Sequence, residues 1–321
     1  MEKIKKNFLY VGELSEISTS RHRYEVLKKY VSQTYSIPTE KVKKSKINEK
    51  ILNLIFKKKI DFIWFDKAIY IEKLTIKVVK LLNIKTIHYN PDNCFGDRKE
   101  KIWKPFLNSI TYFDYHLVPR EINLKNYKDA GCKNVFLFPF TYEKKIHYIN
   151  KKKIKKKIDV CFIGTLRKER IELFKQLEDV YNLKVNLYGN LSSRFQKTKG
   201  LLYNLPIYNH DYRKIIWKSK ILIVLTADDN LDDDARRLYE IQACGGFIIS
   251  KYKPKIFNIF GKSIAYFKNT EDLANQIIYY LKNNKKKEQM LKKSMSIIKK
   301  IKYSNDDRIS NILNNIIKNE N

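Results

Sequence analysis

Arg236, Arg237 and Glu240 stand three and four positions apart, so a helix would carry them on one face, while Leu238, Ile241 and Cys244 recur at core-facing spacing. Gly245 and Gly246 are expected to end that helix in a left-handed conformation and to leave backbone room beside a bound molecule. The chain then runs into an apolar strand over residues 246–250. A carboxylate accepts hydrogen bonds from paired sugar hydroxyls, and a guanidinium grips a phosphate in a fork geometry. Together they suit a sugar nucleotide. The same residues also fit a solvated Arg–Glu pair that merely precedes a strand.

Three further constellations bear chemistry. The loop after Gly12 brings Ser18, Thr19, Ser20 and Arg21 to a helix N-terminus, where hydroxyls, backbone N–H groups and a guanidinium can bind an anion; ordinary N-capping explains the serines as well. It lacks the Gly-x-Gly-x-x-Gly dinucleotide fingerprint. Gly164-Thr165, with Arg167 and Arg170 close behind, follows a strand and is placed to receive a diphosphate. His22 is a candidate general base, and Asp66, Lys67, Asn90 and Asp92 close two strands where an acceptor would lie, or cap those strands. The acidic run 228–234 reads as a solvated loop whose Asp234 caps the Arg237–Glu240 helix, in preference to a metal site, so no metal is expected. The five histidines show no zinc spacing.

Alternating strands and helices must hold these residues. Apolar runs at 7–12, 61–66, 85–90, 115–119 and 135–138 read as strands, with helices near 24–31, 71–82 and 123–130. After the lysine run 151–157 the pattern restarts, with strands at 158–164, 184–189, 220–225, 246–250 and 264–267 and helices at 167–180, 271–282, 285–300 and 306–318. The alternation predicts parallel α/β sheets, whose ligands sit outside the carboxyl ends of the strands.

The 321 residues are 43% hydrophobic and 13% aromatic, which excludes disorder throughout. The formal charge of +32 comes from 55 lysines and only 11 arginines, scattered through every segment. A base-reading protein would concentrate arginine on one element, so nucleic acid is an unlikely partner, whereas peripheral contact with an anionic membrane surface is compatible with the charge. The lysine run itself is expected to be a solvated linker at a domain junction. Cys94, Cys132, Cys161 and Cys244 form no Cys-x-x-Cys unit, and no signal-peptide or membrane-spanning pattern is seen. A soluble, cytoplasmic protein is expected.

In collinear order, Phe8-Leu-Tyr-Val-Gly12 with residues 18–23, His88-Tyr-Asn-Pro-Asp92, Tyr112-Phe-Asp-Tyr-His116 with Ala130-Gly131, residues 159–165, Arg237-Leu-Tyr-Glu-Ile-Gln-Ala-Cys-Gly-Gly246 and residues 303–308 resemble the CgeB-like (spore maturation protein type) glycosyltransferases of the GT-B superfamily. The resemblance implies an α/β fold of two facing Rossmann-like domains with a cleft between them: an acceptor-side domain over 1–150, a nucleotide-sugar donor domain over 151–303, and a C-terminal helix over 304–321 that returns toward the first. It implies that Glu240 holds the donor ribose, that Arg237 and the Gly164-Thr165 turn hold the diphosphate, and that Ser18, Thr19, Arg21 and His22 face the reacting sugar; Arg167 and Gly245 are further candidates for donor binding. His22 and Asp92 are the catalytic candidates. No cofactor beyond the nucleotide diphosphate sugar is expected, and the acceptor would be a glycan, a lipid-linked sugar or a protein. The acidic run before Arg237 departs from the family pattern. Two rival readings are a non-catalytic polyanion- or nucleic-acid-binding protein and a degenerate glycosyltransferase-like partner subunit.

Overall fold

The computed structural model describes residues 3–96, 101–152, 154–191 and 197–318; Lys153 of the lysine run lies outside them. In chain order the first elements are β1 (Ile4–Gly12), α1 (Thr19–Tyr30), β2 (Val31–Pro38), α2 (Ile47–Lys57), β3 (Phe62–Asp66), α3 (Lys73–Leu81), β4 (Lys85–Tyr89), α4 (Lys104–Leu107), β5 (Tyr115–Val118), α5 (Glu121–Asp129) and β6 (Asn134–Leu137). The second series is β7 (Ile158–Ile163), α6 (Lys168–Tyr181), β8 (Asn186–Tyr188), β9 (Leu202–Asn204), α7 (Asn209–Lys218), β10 (Ser219–Val224), α8 (Arg236–Ala243), β11 (Ile248–Lys251), α9 (Pro254–Phe260), β12 (Ala265–Phe267), α10 (Thr270–Lys282), α11 (Asn284–Ile301) and α12 (Asn305–Lys318). Two compact units result: Met1–Phe140 with Asp228–Asp232 and Asn305–Asn321, and Thr141–Ala227 with Asp233–Ser304. The lysine run thus falls inside the second unit, where Lys156 Nζ donates to the Ser219 carbonyl at 2.7 Å.

The first unit holds a six-stranded parallel sheet in the order β2-β1-β3-β4-β5-β6. Side chains alternate across it with a period of two. Leu9, Val11, Ile63 and Phe65 meet Ile51 and Ile55 of α2, Ile76 and Val79 of α3 and Tyr127 of α5. On the other face Phe8, Tyr10, Phe62 and Trp64 meet Val26 and Leu27 of α1 together with Ile309, Leu313 and Ile316 of α12. The spacing of those last three, four and three residues apart, is what lets α12 present one apolar stripe to this sheet. Burial on both faces is why the central strands read as continuous apolar runs.

The second unit repeats the plan in the order β12-β11-β10-β7-β8-β9. Val160 and Phe162 of β7 and Ile221 and Ile223 of β10 pack with Ile171, Phe174 and Leu177 of α6 and Leu273, Ala274 and Ile277 of α10. The two sheets differ in where their strand order reverses. In the first the reversal lies between β1 and β3; in the second it lies between β7 and β10. Each reversal opens a crevice at the carboxyl edge.

The structure departs from the sequence reading in several elements, and helices α2, α4, α7 and α9 are additions to it. Strands β2 and β9 were not expected: β2 is a sheet edge with only Val31 and Ile37 buried, and β9 has no buried residue, so neither carries a core pattern. The first helix begins at Thr19, not near residue 24, because the Ser18 hydroxyl accepts the Ser20 N–H at 3.1 Å and caps it. Asp234 does not cap α8; Ala235 occupies that position without a side-chain bond. The acidic run is solvated only in part: Asp228 and Asp229 are exposed, whereas Asp232, Asp233 and Asp234 have the partners given below.

Asp66 belongs to the core of the first unit. It accepts from Arg23 Nε at 2.8 Å and from the Tyr10 hydroxyl at 2.8 Å, and Arg23 also lies over the Tyr89 ring at 4.4 Å. Burial would lower the Arg23 pKa, but Asp66, then Tyr89 and Tyr10, raise it overall. Asp66→Ala leaves that guanidinium buried without its counter-ion and is expected to destabilise the protein by about 3–5 kcal/mol, read as a fall in the urea midpoint. A neutral result would show that Asp66 is not the buried partner of Arg23.

Candidate active site

In the second unit the crevice between β7 and β10 is framed by the Gly164-Thr165 turn and by Thr226. Arg170, buried on α6, ties these two loops together: Nη1 donates to the Thr165 carbonyl at 2.9 Å and Nη2 to the Thr226 carbonyl at 3.0 Å. Sequence reasoning placed Arg170 near a diphosphate, whereas both of these hydrogen bonds hold backbone. Arg167 occupies the N-cap position of α6 and Thr165 is exposed, so both border the crevice. The turn is set by a close approach: Gly164 N–H donates to the Tyr188 carbonyl at 2.9 Å, and a Cβ on Gly189 would stand 1.9 Å from the Gly164 carbonyl oxygen. Gly189→Ala is therefore expected to push the Gly164-Thr165 turn aside and to lower stability by about 1–3 kcal/mol. An unchanged unfolding midpoint would refute that close approach.

Helix α8 carries the second cluster of the same unit. It ends as the glycines require: Gly245, at φ +75°, donates to the Gln242 carbonyl at 3.0 Å, and Gly246 donates to the Ile241 carbonyl at 2.9 Å, the paired bonds of a left-handed helix stop. The space that Gly246 leaves serves internal packing, since a Cβ there would lie 2.6 Å from Ile241 Cγ2. At Gly245 the nearest neighbour of such a Cβ is Ile149, at 3.5 Å.

Arg237 Nη1 donates to Glu240 Oε2 at 2.5 Å, and the guanidinium lies over the Tyr212 ring at 4.6 Å. Glu240 is 3% exposed whereas the Arg237 side chain is 36% exposed, so the carboxylate lies inside and the arginine side chain reaches the surface. The other carboxylate oxygen, Oε1, stands 3.9 Å from His147 Nε2, beyond hydrogen-bond reach. Because His147 Nδ1 accepts the Glu143 N–H at 3.0 Å, Nε2 bears the ring proton and faces the carboxylate. Burial would raise the Glu240 pKa, but Arg237, then His147 and Arg236, outweigh it and bring it down to about 2. The carboxylate is ionised at neutral pH. Neither Tyr212 nor His147 was assigned a role from sequence; both are far from α8 along the chain, so no local spacing marks them.

The remaining candidates lie in the first unit. Ser18 caps α1, and Thr19, Arg21 and His22 form its first turn, beside the crevice between β1 and β3. Gly12 brings the end of β1 against that turn: a Cβ there would stand 2.7 Å from Ser20 Oγ. Asp92 pairs with Lys67 at 2.8 Å, and its N–H donates to Asn90 Oδ1 at 3.1 Å. Lys67 and Ala68 both have positive φ, +76° and +51°, an uncommon conformation for two non-glycine residues in sequence.

Four residues of the acidic run, Asn230, Asp232, Asp233 and Asp234, are engaged by other groups. Asp232 pairs with buried Arg120, whose Nε donates at 2.7 Å, and Asn230 Oδ1 accepts the Asn93 N–H at 3.0 Å. Lys255 reaches Asp233 at 3.0 Å and Asp234 at 3.3 Å, while the Tyr239 hydroxyl donates to Asp234 at 2.6 Å. Burial raises the Asp234 pKa against the pull of Lys255. Among the described residues no group of three or more His, Cys, Asp or Glu side chains is arranged to hold a metal ion.

Residues 167–314 match the glycosyl transferase-like family Glyco_trans_1_2. No curated protein matches the chain by sequence. Among solved structures, the chain is similar to sucrose-phosphate synthase from Thermosynechococcus elongatus, at TM-score 0.68 and 11% identity over 98% of this chain and 100% of that one. It is similar to Anabaena HepE in complex with UDP and glucose, at TM-score 0.68 and 8% identity over 96% and 99%, and to T4 phage β-glucosyltransferase, at 0.60 and 15% over 92% and 95%. The matched region contains the Arg167 border of the crevice and all of α8. The chain thus has the two Rossmann-like domains of the GT-B glycosyltransferase fold, and its second half is glycosyl transferase-like in sequence.

Proposed function

We propose that this protein transfers a sugar from a nucleotide diphosphate sugar to a glycan, lipid-linked or protein acceptor. The observation that carries this reading is the Arg237–Glu240 pair, placed by α8 inside the region that matches the glycosyl transferase-like family. Glu240 accepts from the ribose hydroxyls through Oε1, the oxygen not bonded to Arg237. The outer edge of Arg237 meets the diphosphate, together with Arg167 and the Gly164-Thr165 turn. Negative charge develops on that diphosphate as the nucleotide departs, and cationic and backbone donors stabilise it there. The bases present supply this charge, which supports a metal-independent reaction.

Ser18, Thr19 and Arg21 serve the reacting sugar, with His22 and Asp92 as the candidate proton acceptors. HepE and T4 β-glucosyltransferase have been crystallised with UDP-glucose, which supports a nucleoside diphosphate sugar as the donor class. The motif order supports the CgeB-like subtype. All four cysteines are free and buried, which fits a reducing, cytoplasmic setting.

A thermal-shift screen over nucleotide diphosphate sugars tests the reading. A ligand at a hundred times its Kd adds about 2.7 kcal/mol to the native state alone, so the cognate donor should raise the Tm while sugars without nucleotide do not. If no nucleotide or nucleotide sugar stabilises the protein, the polyanion-binding reading takes its place.

A further inference from the structure

We infer that the amino edge of the first unit's sheet, with the outer face of its α2–α3 pair, is a docking surface for an anionic lipid bilayer. Each helix of a parallel α/β sheet returns the chain from the carboxyl edge to the amino edge, so the C-termini of α2 and α3 arrive together on either side of β3. At those C-termini Phe56 is 68% exposed, Leu81 82% and Leu82 42%, and Leu74, in the first turn of α3, is 67% exposed. Leu74 and Leu81 lie two helical turns apart, on one face of α3.

Lysines surround these tips. Lys57, Lys58 and Lys59 follow Phe56 directly and are exposed, as are Lys73, Lys77 and Lys80 on α3. Residues 51–60 and 73–85 contain no acidic side chain. An exposed apolar side chain by itself says nothing about a partner. Aromatic and leucine tips set among six exposed lysines, with Asp61 and Glu72 as the flanking carboxylates, match an interface where tails accept the former and anionic headgroups attract the latter. Lysine stems can lie along the apolar boundary with their ammonium groups in the headgroup layer. Among the described residues no helix is long and apolar enough to cross a membrane, so the contact would be peripheral. Docking by the amino edge leaves the opposite, carboxyl edge of the same sheet, where Ser18, His22 and Asp92 lie, open to substrate.

The test is flotation of the full chain with phosphatidylcholine vesicles that either contain or lack phosphatidylglycerol. Binding is expected only to the anionic vesicles and should weaken with salt. Each lysine near a charged bilayer contributes about 1 kcal/mol, roughly a fivefold factor in partitioning, so the triple variant K57E/K58E/K59E should lose at least about a hundredfold. Phe56→Ser with Leu81→Ser should also release the protein, since both side chains are exposed and their loss leaves the core intact. The triple variant K285E/K286E/K292E, which removes three exposed lysines of α11 in the second unit, should bind as the parent does. Equal losses in the two lysine variants would show bulk charge at work and overturn the inference. So would absence of binding to anionic vesicles. Unchanged binding of the Phe56–Leu81 variant would mean that this surface attracts polyanions such as duplex DNA generally. Melting temperatures of all variants separate loss of docking from loss of fold.

Discussion

On the proposed reading, Arg237→Ala is expected to raise the KM for the donor roughly ten- to hundredfold, because it removes charge-assisted hydrogen bonds of about 1.5–3 kcal/mol to a diphosphate, and to lower the Tm as well, because it leaves the buried Glu240 carboxylate without its cation. Removal of Glu240 as Ala strands a guanidinium, so a stability loss of about 3–5 kcal/mol should accompany the loss of transfer. Glu240→Gln keeps the volume and one acceptor oxygen, and thereby separates the two effects. If Glu240 contacts the ribose, Gln should weaken donor binding and leave the Tm without ligand near that of the parent enzyme. The pair also sets a pH expectation. Glu240, held down to about 2, has a folded pKa below its unfolded value, so its contribution to stability is present above about pH 4.3 and is lost as the pH falls toward 2. Donor affinity should therefore show no Glu240 titration between pH 5 and 8. If both Arg237→Ala and Glu240→Ala left donor hydrolysis and transfer unchanged, the donor site would lie elsewhere.

A second large effect is acid lability at a pH where carboxylates are still ionised. His88 and His116 are fully buried in the first unit with their Nδ1 atoms 3.2 Å apart, among Phe106, Phe113 and Tyr127. His116 Nε2 lies 3.0 Å from the Ile110 carbonyl and must donate to it, so His116 Nδ1 accepts and His88 Nδ1 donates. Burial, reinforced by His116, holds the His88 pKa well below the usual range, and burial brings His116 to about 3. Both are lowered bases. Below about pH 6.5 the unfolded chain binds protons that the native state refuses, and stability falls by about 1.4 kcal/mol per pH unit for each histidine. Between pH 6.5 and 4.5 His116 alone costs about 2–3 kcal/mol, with His88 adding in the same direction, a large share of the 5–15 kcal/mol typical of a folded protein. Urea unfolding at pH 7 and pH 5 measures this. The double variant His88→Phe, His116→Phe should flatten the slope, and an undiminished slope would assign the acid sensitivity to other groups.

Local signals are strong wherever a single element determines the outcome. Gly245 and Gly246 stop α8 because only a residue tolerant of positive φ can supply the two carbonyl-capping bonds, and the sequence places them directly after the last core-facing turn. The buried runs of β1, β3 and β7 are legible because both faces of a parallel sheet are covered. Strands β2 and β9 are not legible, since an edge strand buries too little to impose a pattern. The Ser18 cap could be read in the sequence, but the true start of α1 could not, because the polar first turn, Thr19-Ser-Arg-His-Arg23, carries no apolar period until Arg23 is paired with Asp66.

The sequence by itself determined the α/β plan, the restart of the pattern at β7 and the shared helix face of Arg237 and Glu240, because each depends on neighbours within one or two helical turns. Tertiary structure alone decided which of the charged residues are internal ties. Asp66, Arg170, Asp232 and Asp234 looked available on the page of residues, and in the fold they are engaged by Arg23, by backbone carbonyls, by Arg120 and by Lys255. Those partners lie from 5 to 112 positions away. Desolvating a charge is costly unless a counter-charge or a set of hydrogen bonds meets it, and only the folded chain shows where that partner is. The Arg237–Glu240 pair keeps one side buried and the other exposed, which is the arrangement a ligand-holding guanidinium needs.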